Sequence, residues 1–146
     1  MEDYKYCLDH SLGYKLFHAS RLMMNRLNQN FKEQGYPVTY EQWQILSRLY
    51  DEDGQTQNQL AILNERDQAS VSRLIDNMIK RNLVKRVPHS EDKRINLIFL
   101  TEESKKIQGD LEGLAKKTIA EASNGMAEED LNNCLEILDK IRKNLK

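Results

Sequence analysis

Residues 56–101 run TQNQLAILNERDQASVSRLIDNMIKRNLVKRVPHSEDKRINLIFLT, and the fold of the chain turns on how this stretch is parsed. Thr56 is a strong helix N-cap, and Gln59 three residues later completes the pattern of a reciprocal capping box. Leu60, Ala61 and Leu63 give the short helix that follows its apolar side. The period then breaks at Asn64–Arg66, and Asp67 is placed to cap a second helix. Val71, Leu74, Ile75 and Met78 recur there at three- and four-residue spacing, which directs them to a core. Gln68, Ser70, Ser72, Arg73 and Asn77 are left on the opposite side, a face of short donors and acceptors. Ala61, ten residues before Val71, suits a close crossing of the two helices.

The second half of the stretch reads as a two-stranded ribbon. Leu83–Val87 and Ile95–Leu100 are apolar, partly β-branched runs, joined by the polar loop Pro88–Arg94. Alternation puts Val84, Val87, Ile95, Leu97 and Phe99 toward the core. The loop carries Lys93 and Arg94 near its far end, and an arginine suits a narrow, strongly negative minor groove. Asp92 and Arg86 are the groups expected to pair across the loop base and aim Arg94. Taken alone, the helix pair fits any amphipathic hairpin of helices. With the basic ribbon beside it, the pattern is a helix-turn-helix with a wing, and it implies contact with duplex DNA through a helix in the major groove.

With these residues in view, the chain resembles the MarR family of bacterial transcription regulators. The resemblance is strongest over residues 39–101 and extends more weakly over almost the whole length. Its carriers are TYEQWQILSRLY before the core, ASVSRLIDNM within it, and EDKRINLIFLTE at the end, with Asp92-X-Arg94 the most specific step. Three positions depart from the family pattern. Asn82 stands where relatives usually have glycine, and asparagine tolerates the left-handed backbone of a helix stop. Ser104 replaces another common glycine. Glu65 occupies a turn position that often holds glycine, which predicts a looser turn.

The resemblance implies a mainly α, winged helix-turn-helix fold with N- and C-terminal dimerisation helices. It divides the chain into a winged-helix core, 36–101, and a helical dimerisation region, 1–35 with 102–146. Gln68, Ser70, Ser72, Arg73 and Asn77 are the expected major-groove or adjacent phosphate contacts. Lys80, Arg81 and Lys93 would add phosphate attraction, and Arg94, positioned by Arg86 and Asp92, would enter the minor groove. A homodimer would set two recognition helices about 34–36 Å apart before a palindromic operator. The expected function is a repressor released by a small aromatic or phenolic ligand. A cleft for that ligand is expected along Tyr14, Phe17, His18, Arg21, Trp43 and Leu46.

Composition agrees with this assignment. A length of 146 residues gives one domain with a modest core of its own. Net charge is −1, but it is divided unevenly. Residues 55–100 hold eight basic against five acidic residues, while the remainder holds 14 against 18. A basic reading head on an acidic body confines phosphate contact to one face. No apolar run reaches the length of a membrane span and the start is unlike a signal peptide, so cytoplasmic residence is expected. Cys7 and Cys134 match no zinc spacing and the three histidines are scattered, so neither metal nor cofactor is expected. No phosphate loop, metal helix or nucleophile elbow is present, which argues against an enzyme.

The flanks supply long apolar stripes. Residues 9–34 form one helical pattern through Leu12, Leu16, Ala19, Met23, Leu27 and Phe31, and Thr39 with Gln42 caps the next helix. Thr101 is expected to cap a single helix reaching Asn124-Gly125, with Ile107, Leu111, Leu114 and Ile119 inward. A last helix from Glu128 carries Leu131, Leu135, Leu138, Ile141 and Leu145, with Cys134 expected in its packing. Two other functions compete. One is a thiol-based peroxide sensor using Cys7, although Gly13 occupies the position at which such relatives carry their cysteine. The other is a winged-helix module that docks protein, which would need neither the basic tip nor the polar recognition face.

Overall fold

The computed structural model describes residues 5–146, so the first four residues of the expected 1–35 segment lie outside the described residues. A 3₁₀ turn, Leu8–His10, leads into α1 (Leu12–Glu33), α2 (Tyr40–Asp51) and a two-residue strand β1 (Gln55–Thr56). The helix-turn-helix follows as α3 (Gln57–Leu63) and α4 (Gln68–Lys80), and the wing as β2 (Val84–Pro88) and β3 (Asn96–Leu100). The chain ends in α5 (Glu102–Lys106), α6 (Gln108–Ala122) and α7 (Glu128–Leu145). The three strands form one antiparallel sheet in the order β1-β3-β2.

Local chemistry sets most of these boundaries. Thr39 and Gln42 make both bonds of the capping box at α2. At α3 only half of the expected box forms: the Thr56 hydroxyl accepts the Gln59 N–H, at 3.0 Å. Thr56 is also the last residue of β1, paired opposite Leu97, so its backbone is engaged in the sheet. The Asp67 carboxylate caps α4 by accepting the Ser70 N–H at 2.7 Å. Asn82 takes the left-handed conformation, φ 60°, that stops α4. Ser104 is fully buried and donates its hydroxyl to the Leu83 carbonyl at 2.6 Å, where a glycine would leave that bond unmade. Thr101 reaches the Asn82 carbonyl at 2.9 Å, so the start of α5 is stapled to the end of the recognition helix.

The core lies beneath the helix-turn-helix. Val71, Ile75 and Met78 from α4 are fully buried against Leu60, Ile45, Leu46, Leu49 and Leu111, and Leu74 packs at the margin. Ala61 is buried as the close crossing of α3 with α4 requires. Each large side chain taken fully from water contributes about 1.5–3 kcal/mol. Beyond this core, α1 meets α6 through a polar cluster: buried Asn30 donates to the Thr118 hydroxyl and to the Glu121 carboxylate, both at 2.9 Å. Arg26 pairs with the same Glu121. Asn30 first, then the Arg26 cation, holds the Glu121 carboxyl below its ordinary range.

Several expectations require correction. The alternation of the wing is displaced by one residue on β3: Ile98 and Leu100 are buried with Val84, while Leu97 and Phe99 are half-buried on the other face. Val87 and Ile95 are exposed. Both faces of β3 carry apolar residues, so its hydrophobic pattern has no phase to read. Phe99 is covered by the turn before β1, where Gly54 has φ +75° and a Cβ would stand 2.7 Å from the Phe99 ring. The helix expected from Thr101 onward is interrupted at Ile107, whose backbone, φ −95° and ψ 2°, separates α5 from α6. Ile119 faces outward, as do Leu12, Ala19 and Met23 of α1; only Leu27 and Phe31 of that stripe are buried. No residue of α7 is buried, and Cys134 is exposed rather than packed.

Candidate nucleic-acid interface

The proposed reading face is the exposed side of α4. Gln68, Arg73 and Asn77 are exposed along it, with Ser70 and Ser72 half-buried. The amide of Gln68 donates to the Asn58 side chain at 2.8 Å, which joins the first turns of α3 and α4. Ser70 is more committed than its sequence suggests, because its hydroxyl accepts from both Nε and Nη2 of Arg66, at 3.1 and 2.6 Å. Arg66 therefore belongs to this end of the head, although only its four-residue spacing from Ser70 marked it in the sequence. The remaining guanidinium N–H groups of Arg66 lie beside the start of α4, where short polar groups meet base edges or phosphate.

Arg94 is presented by its own loop. The Asp92 carboxylate accepts Nε and Nη2 of Arg94, both at 3.0 Å, and also its backbone N–H at 3.1 Å. This two-point grip fixes a guanidinium plane whose side chain remains 90% exposed. The Arg94 bonds hold the Asp92 carboxyl below its ordinary range and raise the guanidinium further. The pair therefore survives while pH falls through the usual carboxylate range, and it is lost only when Asp92 is protonated at more acid pH. His89 organises the turn below: its Nδ1 accepts the N–H groups of Glu91 and Asp92, at 3.1 and 3.4 Å. Lys93 is exposed at the same tip.

Arg86 does not join Asp92. The antiparallel register places Arg86 opposite Ile98, on the inner face of the wing. There its Nη1 pairs with Asp76 of α4 at 2.9 Å and its Nε donates to Gln57 of α3 at 3.3 Å. Its Nη2 is buried with no hydrogen-bond partner among the described residues. Arg86 thus joins the wing to both helices, and the aiming of Arg94 falls to Asp92 alone. Arg81 also has another task. It donates to the Pro37 carbonyl at 2.9 Å and to Gln42 at 3.3 Å, tying the end of α4 to the loop before α2. Lys80 is exposed beside it.

The six expected cleft residues are spread over α1 and α2. Tyr14 and Phe17 flank His18 on α1, with ring centroids 4.2 and 5.2 Å from it. Phe17 is exposed, and Arg21 one turn further along is exposed as well. Leu46 is fully buried, while Trp43 packs between Phe31 and Tyr50. The hollow beside Trp43, about 220 Å³, is walled by Tyr50, Lys116 and Ile119 instead of by the α1 aromatics. Burial pushes the Tyr50 hydroxyl up to about 12, with the Glu112 charge adding to it. Cys7 is exposed, and no group of ligand residues suited to a metal occurs among the described residues.

A helix with a polar outer face, followed by a hairpin that displays a clamped arginine, has the architecture of a winged helix-turn-helix. The MarR family model matches residues 38–95, the span from α2 to the wing tip. Over that span the chain is similar to the MarR family. A Bacillus subtilis (strain 168) protein described as an uncharacterized HTH-type transcriptional regulator, YybA, is 26% identical over 118 residues, 81% of this chain and 77% of the relative. The fold is shared with a probable transcriptional regulator from Pseudomonas aeruginosa, at a TM-score of 0.84 and 22% identity over 92% of this chain and 99% of that one. A mutant MarR from E. coli, solved with operator DNA, gives a TM-score of 0.84 at 18% identity, over 94% of this chain and 99% of that one. No helix among the described residues is long and apolar enough to cross a membrane.

Proposed function

We propose that the chain acts as a homodimeric repressor that grips a palindromic operator with two winged heads. In this reading residues 36–101 form the DNA-binding core, and 1–35 with 102–146 join the two copies. The observation that carries it is Arg94, held at two points by Asp92 and almost wholly exposed at the tip of the wing whose strand β2 packs on α4. Arg73, Gln68, Ser72 and Asn77 supply base-edge or phosphate contacts, and Arg66, Lys80 and Lys93 add positive charge around them. Supporting the dimer are the exposed apolar side chains Leu12, Phe17 and Leu22 of α1 and Leu135 and Ile137 of α7. A single winged head binds DNA weakly, whereas two linked heads gain from effective concentration.

Release by a small aromatic or phenolic ligand completes the proposal. The hollow between α2 and α6 offers the aromatic rings of Trp43 and Tyr50 to such a ring, with Ser47, Asp51, Glu112 and Lys116 as its polar lining. Titration of the purified chain into duplexes from its own promoter region tests the reading. Binding should weaken with salt at a slope of about −0.9 per phosphate neutralised, and Arg94→Ala should lower affinity by about tenfold or more with the oligomer unchanged. Equal affinity for Arg94→Ala would remove the wing from the interface. A flat salt response would favour the protein-docking alternative.

A further inference from the structure

The turn between α3 and α4 is joined to the far end of the chain. Glu65 sits in that turn with φ 52°, the backbone region that a glycine would enter without strain. Its carboxylate Oε1 accepts Nη2 of Arg142 at 2.6 Å and Nζ of Lys146 at 2.6 Å. Both cations lie at the C-terminal end of α7, a helix of 18 residues and hence about 27 Å long. α7 starts after the Gly125 turn at the remote end of α6 and buries no residue of its own. Lys146 first, then Arg142, draws the Glu65 carboxyl below its ordinary range, so the contact remains ionised throughout neutral pH.

We propose that Glu65, Arg142 and Lys146 are positioning residues that fix the angle between α7 and the helix-turn-helix. In the dimer they would thereby fix the separation of the two reading heads. This rests on the reading of the chain as an operator-binding homodimer. An acid at a position that takes the left-handed conformation gives up glycine's freedom in exchange for a carboxylate. That carboxylate meets α7, which runs back from the Gly125 turn to the head. The contact is ionic and exposed, so its value lies in geometry more than in stability.

The test uses a palindromic duplex selected by the wild-type chain from randomised DNA, and versions with its half-sites moved apart by one and two base pairs. Each added base pair separates the half-sites by about 3.4 Å and turns one against the other by about 35°. Wild type should discriminate strongly among the three. Glu65→Gln should remain dimeric, bind the selected duplex about three- to tenfold more weakly, and discriminate spacing poorly. Simple Coulomb attraction predicts the opposite sign, because removing an acid beside phosphate should tighten binding. Arg142→Gln with Lys146→Gln, on exposed positions of α7, should reproduce the loss of discrimination even if the Glu65 variant folds poorly. Combining Glu65→Lys with Arg142→Glu and Lys146→Glu should restore it.

Unchanged or tighter binding by Glu65→Gln, with wild-type spacing preference, would overturn the latch while leaving operator binding in place. Failure of the wild-type chain to select any duplex would overturn the operator reading itself, and the latch with it.

Discussion

The head and the arms of this molecule solve opposite problems with the same residue types. Around α4, leucine, isoleucine and valine are buried to completion by neighbours from the same chain. Along α1 and α7, equally regular stripes leave Leu12, Leu135 and Leu145 more than half exposed. The difference is one of available partners. The head stacks three short helices and a ribbon around one core, whereas α7 only half-buries Leu131, Leu138 and Ile141 and is tied to the head by ion pairs at its C-terminal end. A helix stripe therefore reports that something must cover it, and only the fold decides whether that cover lies in the same copy.

The largest effect should come from breaking the arms without touching the head. Leu135→Asp places a charge on the exposed stripe of α7, and light scattering should show a monomer with an unchanged helical spectrum. Operator affinity should then fall by about a hundredfold or more, since the second head no longer benefits from the first. A dimer that survives this change would move the interface elsewhere. The converse cut is made in the head: Ile75→Ala empties a fully buried site and should destabilise by about 2–5 kcal/mol in denaturant titration, while the arms still associate. A smaller change sharpens the boundary between the two regions. Ser104→Ala removes the hydroxyl that joins α5 to the Leu83 carbonyl and should cost about 1 kcal/mol, with DNA contacts intact. A loss of affinity beyond that expected from stability would make Ser104 part of the coupling between body and head.

The parts legible in the sequence are those governed by local rules. Caps at Thr39, Asp67 and Thr101, the left-handed stop at Asn82 and the four core positions of α4 follow from periodicity and side-chain chemistry. The Asp92–Arg94 step was marked by the family resemblance, while its two-point pairing was not read, because Asp92 was expected to engage Arg86. Arg86 shows where such reading ends. Asp92 and Asp76 are both plausible acids for it, and only the strand register, which turns Arg86 toward α4, selects between them. The same applies to β3, where apolar residues on both faces conceal which side is inner. Arg66 and His89 were missed as contributors because each works through hydrogen bonds formed by a turn, and the six cleft residues are spread over α1 and α2, with Leu46 taken up by the core.

Arg86 also limits how this head tolerates exchange of parts. Its side chain runs from the wing strand to Asp76 on the recognition helix and Gln57 at the start of α3. A chimera that grafts in a foreign recognition helix with a neutral residue at position 76 would strand a guanidinium in a poorly hydrated gap. Exchanging the reading face of this head is therefore a transplant of helix and wing together, with the acid and the arginine kept as a matched set.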